Sequence, residues 1–145
     1  MYEFESGPEI PDAVLLDWIK RMFPFKIWCL ESNLGGGKTH LVRQFGRLLG
    51  FEKEVSSPTF SIINQYECIN TSFGLNQIYH ADLYRLKTLN EVHDAGVIDY
   101  LYQDAYFIIE WPELILPLLN EMPYAWIKID TLSNDLRKYT LKLKT

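Results

Sequence analysis

One glycine-rich stretch decides the fold that this sequence predicts: Glu31-Ser32-Asn33-Leu34-Gly35-Gly36-Gly37-Lys38-Thr39. It follows an apolar run, residues 25–30, and precedes an amphipathic run, residues 39–49. A strand, a glycine-rich loop and a helix in this order are the context of a P-loop, whose backbone N–H groups surround phosphate oxygens. The stretch therefore predicts a nucleotide site in which Lys38 reaches the terminal phosphates and the Thr39 hydroxyl binds phosphate-bound Mg²⁺.

The match to the full P-loop pattern is incomplete. That pattern begins with a glycine where this chain has Ser32, and only the end Gly37-Lys38-Thr39 agrees with it. Consecutive glycines would cost roughly 1 kcal/mol each inside a helix, so a run of three is favourable where the backbone itself is the binding surface. A plain glycine turn is the alternative interpretation.

The length and charge of the chain limit what it can do. A chain of 145 residues with 48% hydrophobic residues fits one compact domain, residues 1–145, with a sizeable core. The net charge of -5 disfavours autonomous nucleic-acid binding, because affinity for phosphate backbones comes largely from clustered lysine and arginine. Any contact with RNA is therefore expected to run through a partner protein.

Cysteine usage and hydropathy indicate the compartment. Cys29 and Cys68 lie in strand-like runs without metal-type spacing, which predicts buried thiols in a reducing compartment. The sequence contains no signal-peptide pattern and no apolar run near the ~20 residues that a membrane helix needs. We therefore expect a soluble cytoplasmic protein that has no membrane contact.

Periodicity around the glycine-rich loop predicts an α/β fold. A helix begins at Asp12 and is stopped by Pro24, and the apolar run 25–30 suits a strand that is covered on both faces. Further strands are predicted at residues 61–66, 77–82, 105–109, 124–130 and 136–143, and further helices after Thr88 and at Pro112. The expected architecture is a P-loop NTPase-like mixed sheet with helices on both faces and a C-terminal antiparallel hairpin.

Two segments near the ends of the chain are expected to be loose or exposed to solvent. Residues 1–9 show no periodicity and are predicted to be a loose start of the chain. Lys138, Lys142 and Lys144, on the last predicted strand, are expected to line a solvated edge of the sheet.

Two carboxylates follow apolar strands. Asp82 ends the predicted strand 77–82, and Glu110 follows the predicted strand 105–109. In open α/β sheets ligands bind outside the carboxyl ends of the strands, so both acids are expected to face the same phosphates as Thr39. Either acid can hold Mg²⁺ directly or through water, and one can orient an attacking water. The alternative is that each is a solvated acid that closes its strand.

Four motifs occur in order along nearly the whole chain: Leu34-Gly35-Gly36-Gly37-Lys38-Thr39, Ser57-Pro58-Thr59-Phe60, His80-Ala81-Asp82-Leu83-Tyr84-Arg85-Leu86 and Ile109-Glu110-Trp111-Pro112-Glu113. Together they resemble the bacterial TsaE (YjeE) ATPases in order and approximate spacing. The resemblance implies an ATPase that uses ATP and Mg²⁺ and works with the partners TsaD and TsaB to make threonylcarbamoyladenosine in tRNA. It also implies that ATP hydrolysis resets the complex of TsaD and TsaB between rounds.

The same resemblance implies a role for each matching residue. Glu110 and Lys38 would carry catalysis, and the magnesium would be held by Thr39, Asp82 and Glu110. The nucleotide would be bound by Leu34, Gly35, Gly36, Gly37, Lys38, Thr39, His40, Thr59 and Trp111.

Thr59 and two departures from the family need separate mention. The resemblance places Thr59 in a switch-like loop that senses the terminal phosphate, whereas the stretch by itself reads as a polar entry to a strand. Ser32 replaces a glycine of the family's loop, and His40 stands where a small hydroxyl residue is common.

Three other functions compete with an ATPase. A GTPase would share the loop, but the chain has no Asn-Lys-x-Asp motif for reading guanine. A small-molecule kinase would usually clamp phosphates with several arginines, and only Arg85 stands beside a motif. A nucleotide-binding adaptor without significant turnover would need the same site.

Overall fold

The computed structural model describes residues 1–33, 35, 37–55, 62–69 and 73–145. The predicted loop at residues 57–60 lies outside these ranges. Part of residues 70–74, a stretch whose sequence predicts a hairpin turn, also lies outside them. The described elements, in chain order, are β1 (Tyr2–Ser6), α1 (Asp12–Met22), β2 (Ile27–Ser32), α2 (Lys38–Leu49), β3 (Ile63–Glu67), β4 (Gln77–Asp82), α3 (Leu89–Asp94), α4 (Val97–Leu101), β5 (Tyr106–Glu110), a 3₁₀ helix (Pro112–Ile115), α5 (Leu116–Leu119), β6 (Tyr124–Ser133) and β7 (Leu136–Lys144).

A mixed sheet joins all the strands that the structure describes, in the order β1-β7-β6-β2-β5-β4-β3. The central strand β2 pairs in parallel with β5 and β6, and β5 pairs in parallel with β4. β6 and β7 form the predicted antiparallel hairpin. Every residue of β2 except Glu31 is buried, because a strand that is covered on both faces has no solvent side. The α/β fold class is confirmed.

Helices cover both faces of this sheet, as predicted. α1 and α2 pack against the face that carries Trp28 and Leu30, and α3, α4 and α5 pack against the face that carries Ile27 and Cys29. Alternate residues of one strand therefore belong to two cores, because side chains alternate across a strand. None of the helices in the described ranges is long and apolar enough to cross a membrane.

Both cysteines are free and buried, which confirms the prediction that their thiols are buried. Burial raises the pKa of the Cys68 thiol to about 11, and burial likewise raises the pKa of Cys29. Both thiols therefore stay protonated near neutral pH and are poor nucleophiles.

The expectation of a loose N-terminus is wrong. β1 pairs antiparallel with β7, and Tyr2 and Phe4 pack against the core under α1 and α2. The signal was present in the sequence, because these aromatic residues alternate with glutamates at the two-residue period of a strand. β7 is consequently an inner strand and not a solvated edge, and Nζ of Lys138 lies 3.5 Å from Oε1 of Glu3 on β1.

Candidate functional site

The carboxyl ends of neighbouring parallel strands bring the two predicted acids together. Asp82 of β4 and Glu110 of β5 are register partners, and Glu110 is also paired with Leu30 of β2. Ile78 and Ile108 belong to the core under α2. Because residues at even spacing on a strand share a face, Asp82 and Glu110 lie on the side of the sheet that carries α2. This edge is the usual place for a ligand in an open α/β sheet.

Glycine conformations shape the connection between β2 and α2. Gly35 and Gly37 have φ angles of 76° and 102°, in the left-handed region that is open mainly to glycine. Gly37 immediately precedes α2, and no side chain in the described ranges caps the first N–H groups of this helix. These N–H groups are suited to an anion. Leu34 and Gly36, which belong to the predicted loop, lie outside the described residues.

Gly37 also lies close to the side chain of Arg137. A Cβ atom at this position would lie 2.6 Å from Nη1 of Arg137, on β7. The same nitrogen donates a hydrogen bond to the carbonyl oxygen of Pro8 at 3.2 Å. Arg137 therefore links the loop to the N-terminal segment, and sequence reasoning missed this contact because the three residues are far apart along the chain.

The amine of Lys38 is buried at the end of β2. Nζ donates to the hydroxyl of Ser32 at 2.8 Å and to the carbonyl of Ser32 at 3.3 Å. It also lies 4.1 Å from the centre of the Trp111 ring, a cation–π contact. Burial lowers the pKa of Lys38, and the nearby carboxylates, led by Glu110 and Asp82, oppose that shift. Among the residues that the structure describes, no carboxylate forms an ion pair with this amine.

The electrostatics of Asp82 favour a cation. Burial raises the pKa of Asp82, and the neighbouring carboxylate of Glu110 raises it as well. The backbone N–H of Tyr84 donates to Oδ1 of Asp82 at 3.0 Å and acts in the opposite direction. Two close carboxylates repel each other when both are ionised, so a cation between them would stabilise their charged forms.

Trp111 adopts an unusual backbone conformation directly after Glu110. Its φ angle of 57° is left-handed, which no other non-glycine residue in the described part of the chain shows. Such conformations cost roughly 1–3 kcal/mol and cluster at functional sites. The Trp111 ring contacts the amine of Lys38. It also packs against the ring of Tyr84, with 5.0 Å between the two ring centres.

A cleft of about 390 Å³ connects these groups. Its described lining residues are Gly35, Gly37, Lys38, Thr39, His40, Arg43, Asp82, Tyr84, Glu110 and Trp111. The structure therefore brings together the predicted site residues that it describes, while Thr59 lies outside the described ranges. His40 also contacts the N-terminal segment, since its Nε2 lies 2.8 Å from Oε1 of Glu9. Sequence reasoning missed Arg43, although its spacing of one helical turn from Thr39 could have indicated it.

A buried histidine holds Glu110. Nε2 of His80 lies 2.6 Å from Oε2 of Glu110, and the side chains are 0% and 2% exposed. Within the described ranges, Nδ1 of His80 has no hydrogen-bond partner. Sequence reasoning did not single out this histidine, although its position two residues before Asp82 places both on one face of β4.

The donors in the cleft suit a metal that arrives with a nucleotide. Mg²⁺ in nucleotide sites is usually held by one or two carboxylates together with phosphate oxygens and waters. Thr39, Asp82 and Glu110 provide one hydroxyl and two carboxylates. The described residues contain no group of three His, Cys, Asp or Glu side chains that would hold a metal by themselves. Phosphate oxygens and waters would complete the coordination.

Comparison with known proteins identifies the family. The family model described as threonylcarbamoyl adenosine biosynthesis protein TsaE matches residues 13–139. Among curated proteins named tRNA threonylcarbamoyladenosine biosynthesis protein TsaE, the one from Synechocystis is 38% identical over 63% of this chain and 57% of its own length. The one from Bacillus subtilis is 36% identical over 63% of this chain and 54% of its own length, so the chain spans little more than half of either relative.

A longer match extends over nearly the whole chain. The protein of the same name from Rickettsia typhi is 32% identical over 98% of this chain and 94% of its own length. A solved structure, titled crystal structure of Bacillus subtilus YdiB, superposes with a TM-score of 0.66 over 97% of this chain and 83% of that chain, at 23% identity. That structure shares the fold. The chain belongs to the TsaE family.

Proposed function

We propose that this chain is a P-loop ATPase that supports the biosynthesis of threonylcarbamoyladenosine in tRNA. One observation carries the proposal: Lys38, at the start of α2, shares a single cleft with Asp82 and Glu110, at the ends of neighbouring strands. Membership of the TsaE family supports the biological process, because relatives in this family are named for it.

Each side chain has a distinct task in this proposal. Lys38 exchanges its hydrogen bonds with Ser32 for oxygens of the terminal phosphates, while N–H groups at the start of α2 donate to the same anion. Thr39 and Asp82 would hold the magnesium, which would supply positive charge to neutralise the phosphates. Glu110 orients the attacking water, and also contributes to holding the metal.

The proposed partners are TsaD and TsaB. Hydrolysis by this chain would reset their complex between rounds, and the chain would not itself modify tRNA. The net charge of -5 supports contact with tRNA through that complex, because direct binding to a phosphate backbone needs clustered positive charge. A cytoplasmic location is part of the proposal, since free, buried thiols are compatible with a reducing compartment.

Thermal unfolding with nucleotides tests the proposal directly. Mg²⁺ with ATP at 100 times its Kd should stabilise the folded chain by about 2.7 kcal/mol, which corresponds to a Tm increase of roughly 5–10 °C for a chain of this size. Mg²⁺ with GTP at the same concentration should give a much smaller increase. An equal or larger response to GTP would favour a GTPase, and no response to either nucleotide would contradict the proposed site.

Phosphate release distinguishes an ATPase from a nucleotide-binding adaptor. The assay compares the chain alone with the chain mixed with TsaD and TsaB, each with ATP and with GTP. We expect slow release by the isolated chain and faster release with both partners, because they would complete the site. Binding of ATP without release under either condition would support the adaptor.

A further inference from the structure

We propose that His80 is a positioning residue for Glu110. It holds one carboxylate oxygen so that the other is directed to the phosphate-binding edge and the whole carboxylate is kept away from Lys38. This inference rests on the proposed function and deepens it. Without His80, the carboxylate of Glu110 would not be held in the position that the proposed function needs.

The register of the sheet makes the contact possible. His80 of β4 is paired with Ile108 of β5, and Glu110 is the next residue on the same face of β5. The distance between Nε2 of His80 and Oε2 of Glu110 is 2.6 Å. The ring of Tyr66 lies beside the His80 ring, with 6.0 Å between ring centres.

Hydrogen-bond accounting assigns the donor. An ionised carboxylate only accepts, so the hydrogen lies on Nε2 of His80 and is donated to Oε2 of Glu110. Nδ1 then carries a lone pair, which agrees with its lack of a partner among the described residues. A second hydrogen on Nδ1 would be a buried donor without an acceptor in those residues, which is the costlier arrangement.

The surroundings of Lys38 show what the contact prevents. The carboxylate of Glu110 is the strongest of several that act on the Lys38 amine, yet the two do not form an ion pair. A direct pair would neutralise both groups and occupy the amine that is proposed to bind phosphate. The hydrogen bond to His80 uses Oε2 and leaves Oε1 for the cleft that Glu110 lines.

Burial argues against a purely structural role. A buried polar pair contributes little to stability compared with apolar side chains of similar volume, because both groups must be desolvated. His80 and Glu110 are 0% and 2% exposed between apolar strands. Stability alone would be served as well by replacing both side chains with apolar ones, whereas a leucine at position 80 alone would leave the buried carboxylate of Glu110 without its donor. The histidine is therefore explained by what it does to Glu110.

The first test measures the contact without any activity. Nitrogen-15 NMR of the histidines in the nucleotide-free chain should show His80 with hydrogen on Nε2 and a bare Nδ1. In Glu110→Gln the Nε2 signal should shift, while His93, which is 74% exposed, should not change. A hydrogen on Nδ1 alone, or a His80 spectrum that is insensitive to Glu110→Gln, would overturn the inference.

The second test separates positioning from folding. His80→Gln retains an N–H donor and His80→Leu removes it, with His93→Leu as an exposed control. In the presence of TsaD and TsaB, we expect His80→Leu to lower kcat roughly 10–100-fold with little change in KM, and His80→Gln to recover most of the loss. In a Glu110→Ala background, His80→Leu should have no further effect on kcat.

The outcomes distinguish this inference from the proposed function. If the wild-type chain shows neither a thermal response to Mg²⁺ with ATP nor phosphate release with its partners, the proposed function fails and the role of His80 fails with it. If the wild type is active and a folded His80→Leu variant is equally active, only the inference about His80 is overturned. Additive losses of kcat from His80→Leu and Glu110→Ala would also overturn it.

Discussion

The amine of Lys38 has two competing sets of partners. In the structure it is held by both oxygens of Ser32 and lies over the Trp111 ring. The Ser32 hydroxyl accepts from Lys38 and also donates its own hydrogen to the carbonyl of Asn33 at 2.9 Å. Phosphate oxygens carry negative charge, so they attract the ammonium of Lys38 more strongly than the uncharged oxygens of Ser32 do. A triphosphate would therefore draw Lys38 away from Ser32.

Replacing Lys38 tests this competition. Lys38→Ala should remove most productive triphosphate binding, because the loop then lacks its mobile positive charge. We expect the Tm increase with Mg²⁺ and ATP to fall close to zero, whereas Lys20→Ala, an exposed lysine on α1, should retain the wild-type increase. Unchanged ATP affinity and turnover in Lys38→Ala would contradict the assigned role.

At the scale of the element, the junction between the loop and α2 depends on one glycine. Gly37 combines a φ angle of 102° with a close approach to Arg137, whereas Gly96, before α4, has a φ angle of 80° and open space around its Cβ position. A comparison of the two positions therefore distinguishes the cost of a left-handed backbone, which both share, from the cost of close packing, which only Gly37 has. Only the first one also begins the helix that is proposed to face the phosphates.

Alanine substitutions compare the two junctions. Both Gly37→Ala and Gly96→Ala should lose roughly 1–2 kcal/mol of unfolding free energy from the left-handed backbone, but Gly37→Ala should lose more because Arg137 must move. Urea denaturation measures the difference. The additional loss of unfolding free energy in Gly37→Ala should be smaller in an Arg137→Ala background. ATP binding should fall only in Gly37→Ala. Equal losses of unfolding free energy in the two variants would show that the close approach to Arg137 does not affect stability.

At the scale of the whole molecule, one sheet separates two apolar cores. β5 contributes to both, because Ile108 faces the core under α1 and α2 and Ile109 faces the core under α3, α4 and α5. Both side chains are fully buried. The cores share the same strands, so loss of either one removes support for the other. We therefore propose that residues 1–145 unfold as a single domain.

Core substitutions on the two faces test this proposal. Ile108→Ala and Ile109→Ala should each lose about 2–5 kcal/mol of unfolding free energy, and each variant should still unfold in one transition. The control is Leu132→Ala, at a residue that is 49% exposed. It should change the unfolding free energy by less than about 0.5 kcal/mol. Coincident denaturation curves from circular dichroism and tryptophan fluorescence check the cooperativity. Two separate transitions would indicate that the faces unfold independently.

Local sequence patterns predicted secondary structure well where residues close in sequence determine it. The two-residue period predicted β4 at residues 77–82, as observed, and the helical period predicted α2 to within one residue. The strand predicted at 25–30 lies instead at Ile27–Ser32. Its end is extended because Ser32 pairs with Ile129 of β6, a partner that its own stretch of sequence does not reveal.

The sequence by itself determined the glycine-rich turn, the strands that end in Asp82 and Glu110, and the meeting of these acids at one edge, because parallel strands share the direction of their carboxyl ends. Only the tertiary structure decided which side chains stand beside them: His80 against Glu110, Arg137 behind Gly37, and Ser32 and Trp111 around Lys38. These contacts depend on strand register and on the placement of α2 over the sheet. Both are set by packing between distant segments, which no local period in the sequence encodes.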